Sequence, residues 1–314
     1  VIPYPIRALT TGALVLTISA SAAGTASAAP GDAIRALHAQ TRTDLDASMR
    51  GEAYAYASYS LFAEQARKQG LASVDGLFQR TAKVELGEHF TEEAALSGLV
   101  GSNAANLRAA LQGEAYESQT MYRTFAKQAR QDGDTSAAEV FDELARDEAA
   151  HHAAFTKALE VVRTGKGSIP APPAAATEAV QAGAAKVRAP RTRSDLDTAM
   201  RGEALAAAKY TQFAKAASAH GDQALARLFN GVAEVELREH FAGMARLAGT
   251  VGTTRENLTK AITGERYESG SMYPAFARRA RAAGDSAAAQ LFAHNAEDEA
   301  AHARSFETAR STLR

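Results

Sequence analysis

No cysteine occurs anywhere in the 314 residues. That one absence excludes disulfides, zinc ribbons, thiolate-held iron, thiol catalysis and a lipidated cysteine anchor. Tryptophan is also missing, proline is limited to 8 residues, and neither sign of charge prevails, with 35 Lys+Arg against 36 Asp+Glu. A net charge of -1 gives no strongly basic footprint and argues against a nucleic-acid partner. Few prolines and abundant alanine favour helices over sheets. With 46% hydrophobic and 23% charged residues the chain has the balance of a soluble globular protein, and its length suits two domains.

The first stretch reads as a targeting segment. Arg7 is followed by uncharged residues 8–31, most apolar from Ala13 to Ile18, which grade into small residues ending Ala26-Ser27-Ala28. A short positive region, an apolar core and an A-x-A site form the layout of a secretory signal, which places residues 1–28 in a signal peptide and the mature protein outside the cytoplasm.

From residue 41 onward the chain is one unit written twice. Thr41-Arg-Thr-Asp-Leu-Asp-Ala-Ser-Met-Arg-Gly-Glu-Ala53 returns as Thr192-Arg-Ser-Asp-Leu-Asp-Thr-Ala-Met-Arg-Gly-Glu-Ala204, and the register then holds without a gap. The copies occupy 43–163 and 193–314, and the Pro/Ala/Gly-rich residues 164–192 between them read as a linker. In the first copy four helices are expected at 43–69, 72–97, 105–131 and 135–162. Gly70 and Gly133-Asp134 mark tight breaks, and the segment from Gly98 to Asn106 is a longer crossover. Apolar residues recur in steps of three and four, the period of bundle helices, and no alternating strand pattern competes. The fold class is therefore all-α, as two tandem four-helix bundles. The flexible linker raises the effective concentration of one for the other, so they are expected to pack as an intrachain pseudo-dimer, with a homodimer of the whole chain as the alternative level of assembly.

Carboxylates interrupt these stripes where core residues belong. The first helix runs Leu45, Met49, Glu52, Tyr56, and the second Val74, Phe78, Thr81, Glu85, Glu88. The third runs Leu107, Leu111, Glu114, Glu117, Met121, and the fourth Phe141, Leu144, Glu148, His151, Phe155. The same seven chemistries recur at Glu203, Glu236, Glu239, Glu265, Glu268, Glu299 and His302, although nearby charges differ between copies: Glu92 is matched by Gly243 and His152 by Ala303. Burying so many carboxylates together is untenable without cations, and a pair of divalent metals would balance them. Glu from each of two helices, with pairs three residues apart on the others, is how bundles hold two metals. In the second helix His89 is an alternative to Glu88: it lies about 40° past Glu85, against about 60° the other way for Glu88. The three-residue step shared with Glu114/Glu117 and Glu148/His151 favours Glu88, and likewise Glu239 over His240.

Each copy resembles the di-iron domain of the rubrerythrin family, within the ferritin-like superfamily. The matching segments are Gly51-Glu-Ala-Tyr-Ala-Tyr-Ala-Ser-Tyr59, Gly98-Leu-Val-Gly-Ser-Asn-Ala-Ala-Asn-Leu107, Gly113-Glu-Ala-Tyr-Glu-Ser-Gln-Thr-Met-Tyr122 and Asp147-Glu-Ala-Ala-His151. Gly264-Glu-Arg-Tyr-Glu-Ser-Gly-Ser-Met-Tyr-Pro274 is closer still. The resemblance implies two iron ions per domain, with manganese as the alternative metal, and redox chemistry with hydrogen peroxide or oxygen. It matches Glu52, Glu85, Glu114, Glu117, Glu148 and His151 to the family's ligands. It makes Glu117 and Glu268 the mobile carboxylates, and Tyr59, Tyr122, Tyr210 and Tyr273 the tyrosines that hydrogen-bond around the site. Two departures stand out. The family's second helix offers Glu-x-x-His where this chain has Glu85-Leu-Gly-Glu88-His89, and the cysteine-held rubredoxin iron that passes electrons in many members has no counterpart here.

The expected function is thus a secreted di-iron oxidoreductase that reduces hydrogen peroxide or oxidises ferrous iron, drawing electrons from an external donor. A dimanganese catalase-like enzyme and a non-catalytic metal-sequestering module are the alternatives.

Overall fold

The computed structural model describes residues 37–313; the signal-like segment 1–28 lies outside the described residues. Eight helices succeed one another: α1 Ala39–Lys68, α2 72–97, α3 103–131, α4 Thr135–Thr164, α5 Pro190–Ala219, α6 223–248, α7 254–283 and α8 Ser286–Thr312. The first four match the expected spans to within a few residues. No strand occurs among the described residues, and none of the helices is long and apolar enough to cross a membrane.

Two four-helix bundles result, and the helices of each come from both copies. The tight breaks at 69–71 and 132–134 keep α1 paired with α2 and α3 paired with α4. The crossover at 98–102 then carries the chain from one bundle to the other. The first bundle is α1, α2, α7 and α8; the second is α3, α4, α5 and α6. Aromatic plugs show the exchange directly: Phe78 of α2 packs 5.0 Å from Phe306 of α8, and Phe155 of α4 packs 5.3 Å from Phe229 of α6. These four rings are fully buried, each contributing about 1.5–3 kcal/mol of transfer free energy. Arg279 of α7 clamps the buried Asp44 of α1 through two nitrogens, at 2.9 and 2.7 Å. The segments 43–163 and 193–314 are therefore units of sequence repetition, and a bundle is closed only by hairpins from both.

The bundles meet along α1 and α5. Tyr54 lies edge-on to Phe241 at 5.8 Å, and the Arg201 guanidinium sits 4.3 Å above the Tyr54 ring. The linker is not a loose tether. Its backbone is tied to α6 and the turn beyond through Glu178 N to Arg238 O, Lys186 N to Leu247 O and Gly183 N to Val251 O, and Val180 and Val187 are buried.

In four places the helices widen into π-helical turns, at Glu85–His89, Glu117–Met121, Glu236–Phe241 and Glu268–Met272. Each opens on a glutamate of the interrupted stripes. The ladder shifts by one residue, so that Phe90 N–H bonds to Glu85 O and Tyr122 N–H to Glu117 O. Side chains catch carbonyls within the wide turns: Thr91 Oγ donates to Leu86 O at 3.0 Å and Arg123 Nε to Ser118 O at 2.9 Å. Such turns cost regular hydrogen bonding and characteristically appear where a helix carries function.

Candidate metal centres

Halfway along each bundle, buried acids and imidazoles from four helices converge. In the first bundle these are Glu52 of α1, Glu85 and His89 of α2, Glu265 of α7, and Glu299 and His302 of α8. In the second they are Glu203 of α5, Glu236 and His240 of α6, Glu114 of α3, and Glu148 and His151 of α4. The donor atoms sort into four-residue groups in which all lie within 4.8 Å of one another: Glu52, Glu85, His89, Glu299, and beside it Glu85, Glu265, Glu299, His302. The second bundle repeats this with Glu148, Glu203, Glu236, His240 and with Glu114, Glu148, His151, Glu236. Two adjacent positions thus share two carboxylates, Glu85 and Glu299 in one bundle, Glu148 and Glu236 in the other. Many oxygens facing these positions make no hydrogen bond, including both of Glu85, Glu148 Oε1, Glu236 Oε2 and Glu299 Oε1. Buried acceptors left open in this way are coordination capacity. Four carboxylates and two neutral imidazoles per bundle balance two divalent cations, and the hard oxygen-rich donor set suits iron or manganese. These clusters can hold metal ions.

The wide turn decides the second-helix ligand. A π turn takes about one more residue to close, so the residue four after Glu85 comes back beneath it while the residue three after is swung outward. His89 accordingly faces the cluster, its Nδ1 3.0 Å from Glu85, 3.0 Å from Glu299 and 3.5 Å from Glu52. Glu88 is exposed. In the other bundle His240 Nδ1 reaches Glu148 at 3.0 Å and Glu203 at 3.6 Å, whereas Glu239 accepts from the linker's Ala176 N at 2.9 Å. The inward placement expected for Glu88 and Glu239 is corrected to His89 and His240, because an ordinary helical period does not hold through residues 85–89 and 236–241.

His151 and His302 face inward as expected, 2.9 Å from Glu148 and 3.0 Å from Glu299. Glu117 and Glu268 lie outside the tight groups, flanking them. A Cβ on Gly51 would stand 3.4 Å from Glu268 Oε1, and one on Gly202 3.6 Å from Glu117 Oε1. The glycine before Glu52 and before Glu203 thus leaves room for the flanking carboxylate. All four tyrosines reach across between copies: Tyr59 donates to Glu265, Tyr122 to Glu203, Tyr210 to Glu114 and Tyr273 to Glu52. Sequence reading missed Asp298 and Asp147. They meet the far nitrogens of His89 at 3.4 Å and His240 at 3.5 Å, and so direct each Nδ1 to the cluster. The signal was the Asp-Glu doublet before each fourth-helix ligand, present in both copies.

Charge crowding shapes the titration of these groups. Burial, then neighbouring carboxylates, push Glu117 and Glu265 up to about 8, and burial drives Glu52, Glu114, Glu203 and Glu268 well above the carboxylate range. Burial alone would lower the imidazoles, but the acids around them outweigh it and raise His151 and His302 to about 12. Burial also works against ionised Glu236, yet His151 and His240 hold it below its ordinary value. The side chains therefore bind protons tightly where a cation is not there to replace them.

The Rubrerythrin family model matches residues 83–159 and 195–310. A rubrerythrin of Porphyromonas gingivalis is 34% identical over 139 residues, covering 40% of this chain and 69% of that protein. Nigerythrin of Nitratidesulfovibrio vulgaris is 36% identical over 128 residues, 37% of this chain and 63% of its own length. A rubrerythrin of the same bacterium is 30% identical over 140 residues, 40% and 73% of the two chains. No solved structure gives a significant match.

Proposed function

Because this chain belongs to the rubrerythrin family, we propose that each bundle holds two iron ions and that the protein reduces hydrogen peroxide with electrons from an external donor. The observation that carries the reading is the pair of four-residue groups sharing two carboxylates, which recurs in both bundles. When bound, the ion pair supplies the two electrons that, with two protons, turn hydrogen peroxide into two waters. The protein's part is to position and to insulate. Glu85 and Glu299, or Glu236 and Glu148, stand between the two positions; Glu52 with His89, and Glu265 with His302, flank them. Tyr59 and Tyr273 fix ligand carboxylates by donating to them, and the aromatic plugs at Phe78 and Phe306 keep water from one end of the bundle. Glu117 and Glu268, with space beside Gly202 and Gly51, are the carboxylates free to move as the charge of the centre changes.

The sequence contains no cysteine, so the reductant is a separate molecule or domain, and ferrous-iron oxidation, which needs no such donor, is the second reading. We also propose an extracytoplasmic location from the signal-like layout of residues 1–28; the mass of the mature N-terminus tests it. The function is tested by metal analysis of native protein followed by stopped-flow mixing with peroxide and an artificial reductant. The expected result is about two irons per bundle and peroxide loss that stops with chelation. Reaction with oxygen but no peroxide turnover selects ferrous-iron oxidation, and manganese in place of iron selects a dimanganese enzyme. Full metal content with no reaction leaves a metal-holding module.

A further inference from the structure

The two centres share their inward-facing donors but not what lies behind them. Beside the Glu52 centre, Tyr273 hydroxyl donates to Glu52 and stands 3.0 Å from Oε1 of Glu93, a fully buried residue of α2 one turn beyond His89. Asn295 of α8, also fully buried, donates to the same Glu93 oxygen at 3.1 Å and to the Tyr273 oxygen at 3.4 Å. Buried Ser48 completes this polar wall. At the Glu203 centre the corresponding positions are Met244, Leu144 and Ala199, all buried, and Tyr122 has Glu203 as its hydroxyl partner. On the opposite flank the difference is reversed: Lys209 lies near Glu117, where the Glu52 centre has Ser58.

The fold does not need Glu93 and Asn295, since the second bundle fills the same places with Met244 and Leu144. Burying a carboxyl that leaves Oε2 without a hydrogen-bond partner is the costlier choice. Its effect falls on Glu52. A phenol has one hydrogen, and at Tyr273 two carboxyl oxygens compete for it, so Glu52 keeps more negative charge than Glu203, which takes the whole of Tyr122's donation. A more negative ligand favours the oxidised, more positive metal pair. The cation at Lys209 acts in the same direction from the other side, favouring the less positive, reduced pair beside Glu117.

We propose, building on the reading that both clusters bind iron pairs, that the two centres are an unequal couple. The Glu52 centre, tuned by Glu93 and Asn295 through Tyr273, has the lower reduction potential, and the Glu203 centre the higher. Electrons entering the chain fill the Glu203 centre first. Glu93 and Asn295 are positioning residues: they touch Tyr273 and act on the metals through it and Glu52.

The test is a reductive titration of the full-length iron-loaded chain, followed optically against potential, with metal content measured on each sample. Two steps are expected, separated by at least tenfold in the one-electron equilibrium constant, or 59 mV. Glu52→Ala, which disables one centre, should remove the lower step. The triple change Ser48→Ala, Glu93→Met, Asn295→Leu copies the other centre's surroundings and should move the lower step up to meet the higher. Glu93→Gln, which retains an acceptor for Tyr273, should leave two steps. Iron-loaded protein with one coincident step overturns the proposal, as do two steps that the triple change does not shift in a variant of unchanged helicity and metal content. Protein that takes up no iron overturns the metal reading itself, and this inference with it.

Discussion

Removing one imidazole and its neighbouring carboxylate, separately, probes the wide turn of α2. His89→Ala deletes a side chain that is 2% exposed and holds Glu85, Glu299 and Glu52 within 3.5 Å. Breaking one partner out of a buried ionic cluster costs about 3–5 kcal/mol, because the partners left behind stay buried without compensation. Glu88→Ala removes an exposed carboxylate three residues from Glu85, and surface changes of that kind stay within about 0.5 kcal/mol. Urea unfolding of chelated protein reads both effects, with metal stoichiometry as the second measurement. His89→Ala should lower the unfolding midpoint strongly and lose metal from the first bundle alone, while Glu88→Ala should match the parent in both. His240→Ala and Glu239→Ala should repeat the contrast in the second bundle, with Glu239→Ala adding the smaller loss of its bond to the linker. If Glu88→Ala loses metal while His89→Ala retains it, the wide turn does not select the ligand and the geometric argument fails.

Stability without metal should fall as pH rises from about 5 to 8. Glu93, Glu117 and Glu265, raised to about 8, favour the folded state below the ordinary carboxylate range and lose that contribution as pH passes their folded values. His151 and His302, raised to about 12, act in the same sense from pH 6.5 upward, while Glu236, held below its ordinary value, changes its contribution only below the ordinary carboxylate range. The gap in melting temperature between metal-loaded and chelated protein should therefore widen between pH 5.5 and 8, and a constant gap would contradict proton release on metal binding. Tyr59→Phe and Tyr210→Phe each remove a hydrogen bond to a buried ligand carboxylate, worth about 1.5–3 kcal/mol, and should slow peroxide turnover only in the bundle changed; equal loss in both would count against local action. Proteolytic nicking within 166–175 should leave two fragments that co-elute under native conditions and separate only in denaturant, since each bundle needs helices from both; fragments that part spontaneously would refute the exchange.

Helix positions, breaks and most inward-facing acids were legible because apolar periodicity and residue identity carry them directly. Glu52, Glu85, Glu114, Glu148 and His151 interrupt their stripes visibly, and the second copy repeats them. The Glu88/His89 choice was not legible, since the ordinary helical period fails where the chain winds more widely. Glu93 escaped notice for a related reason: in sequence it is one of two adjacent glutamates, and only its burial against Tyr273 and Asn295 separates it from Glu92. The exchange of hairpins left no trace in the pattern, because a bundle closed within one copy and a bundle shared by two bury the same helix faces. What distinguishes them is the path of two short crossovers, residues 98–102 and 249–253. The linker's anchoring was equally hidden, as Val180 and Val187 are isolated among alanines.

Sharing every bundle between both halves also sets the order of events during synthesis. The first bundle opens with Glu52 and is completed only by Glu299 and His302 of α8. The second needs Glu236 and His240. A nascent chain that has finished its first repeat holds half of two centres and the whole of neither, with hydrophobic helix faces still waiting for their partners. Metal capture by the first centre is thereby deferred until α8 has been made, and a product truncated before Glu299 cannot carry a complete first centre. The second centre, whose donors end at His240, is complete before α7 is made, so the centre begun first along the chain is the one finished last.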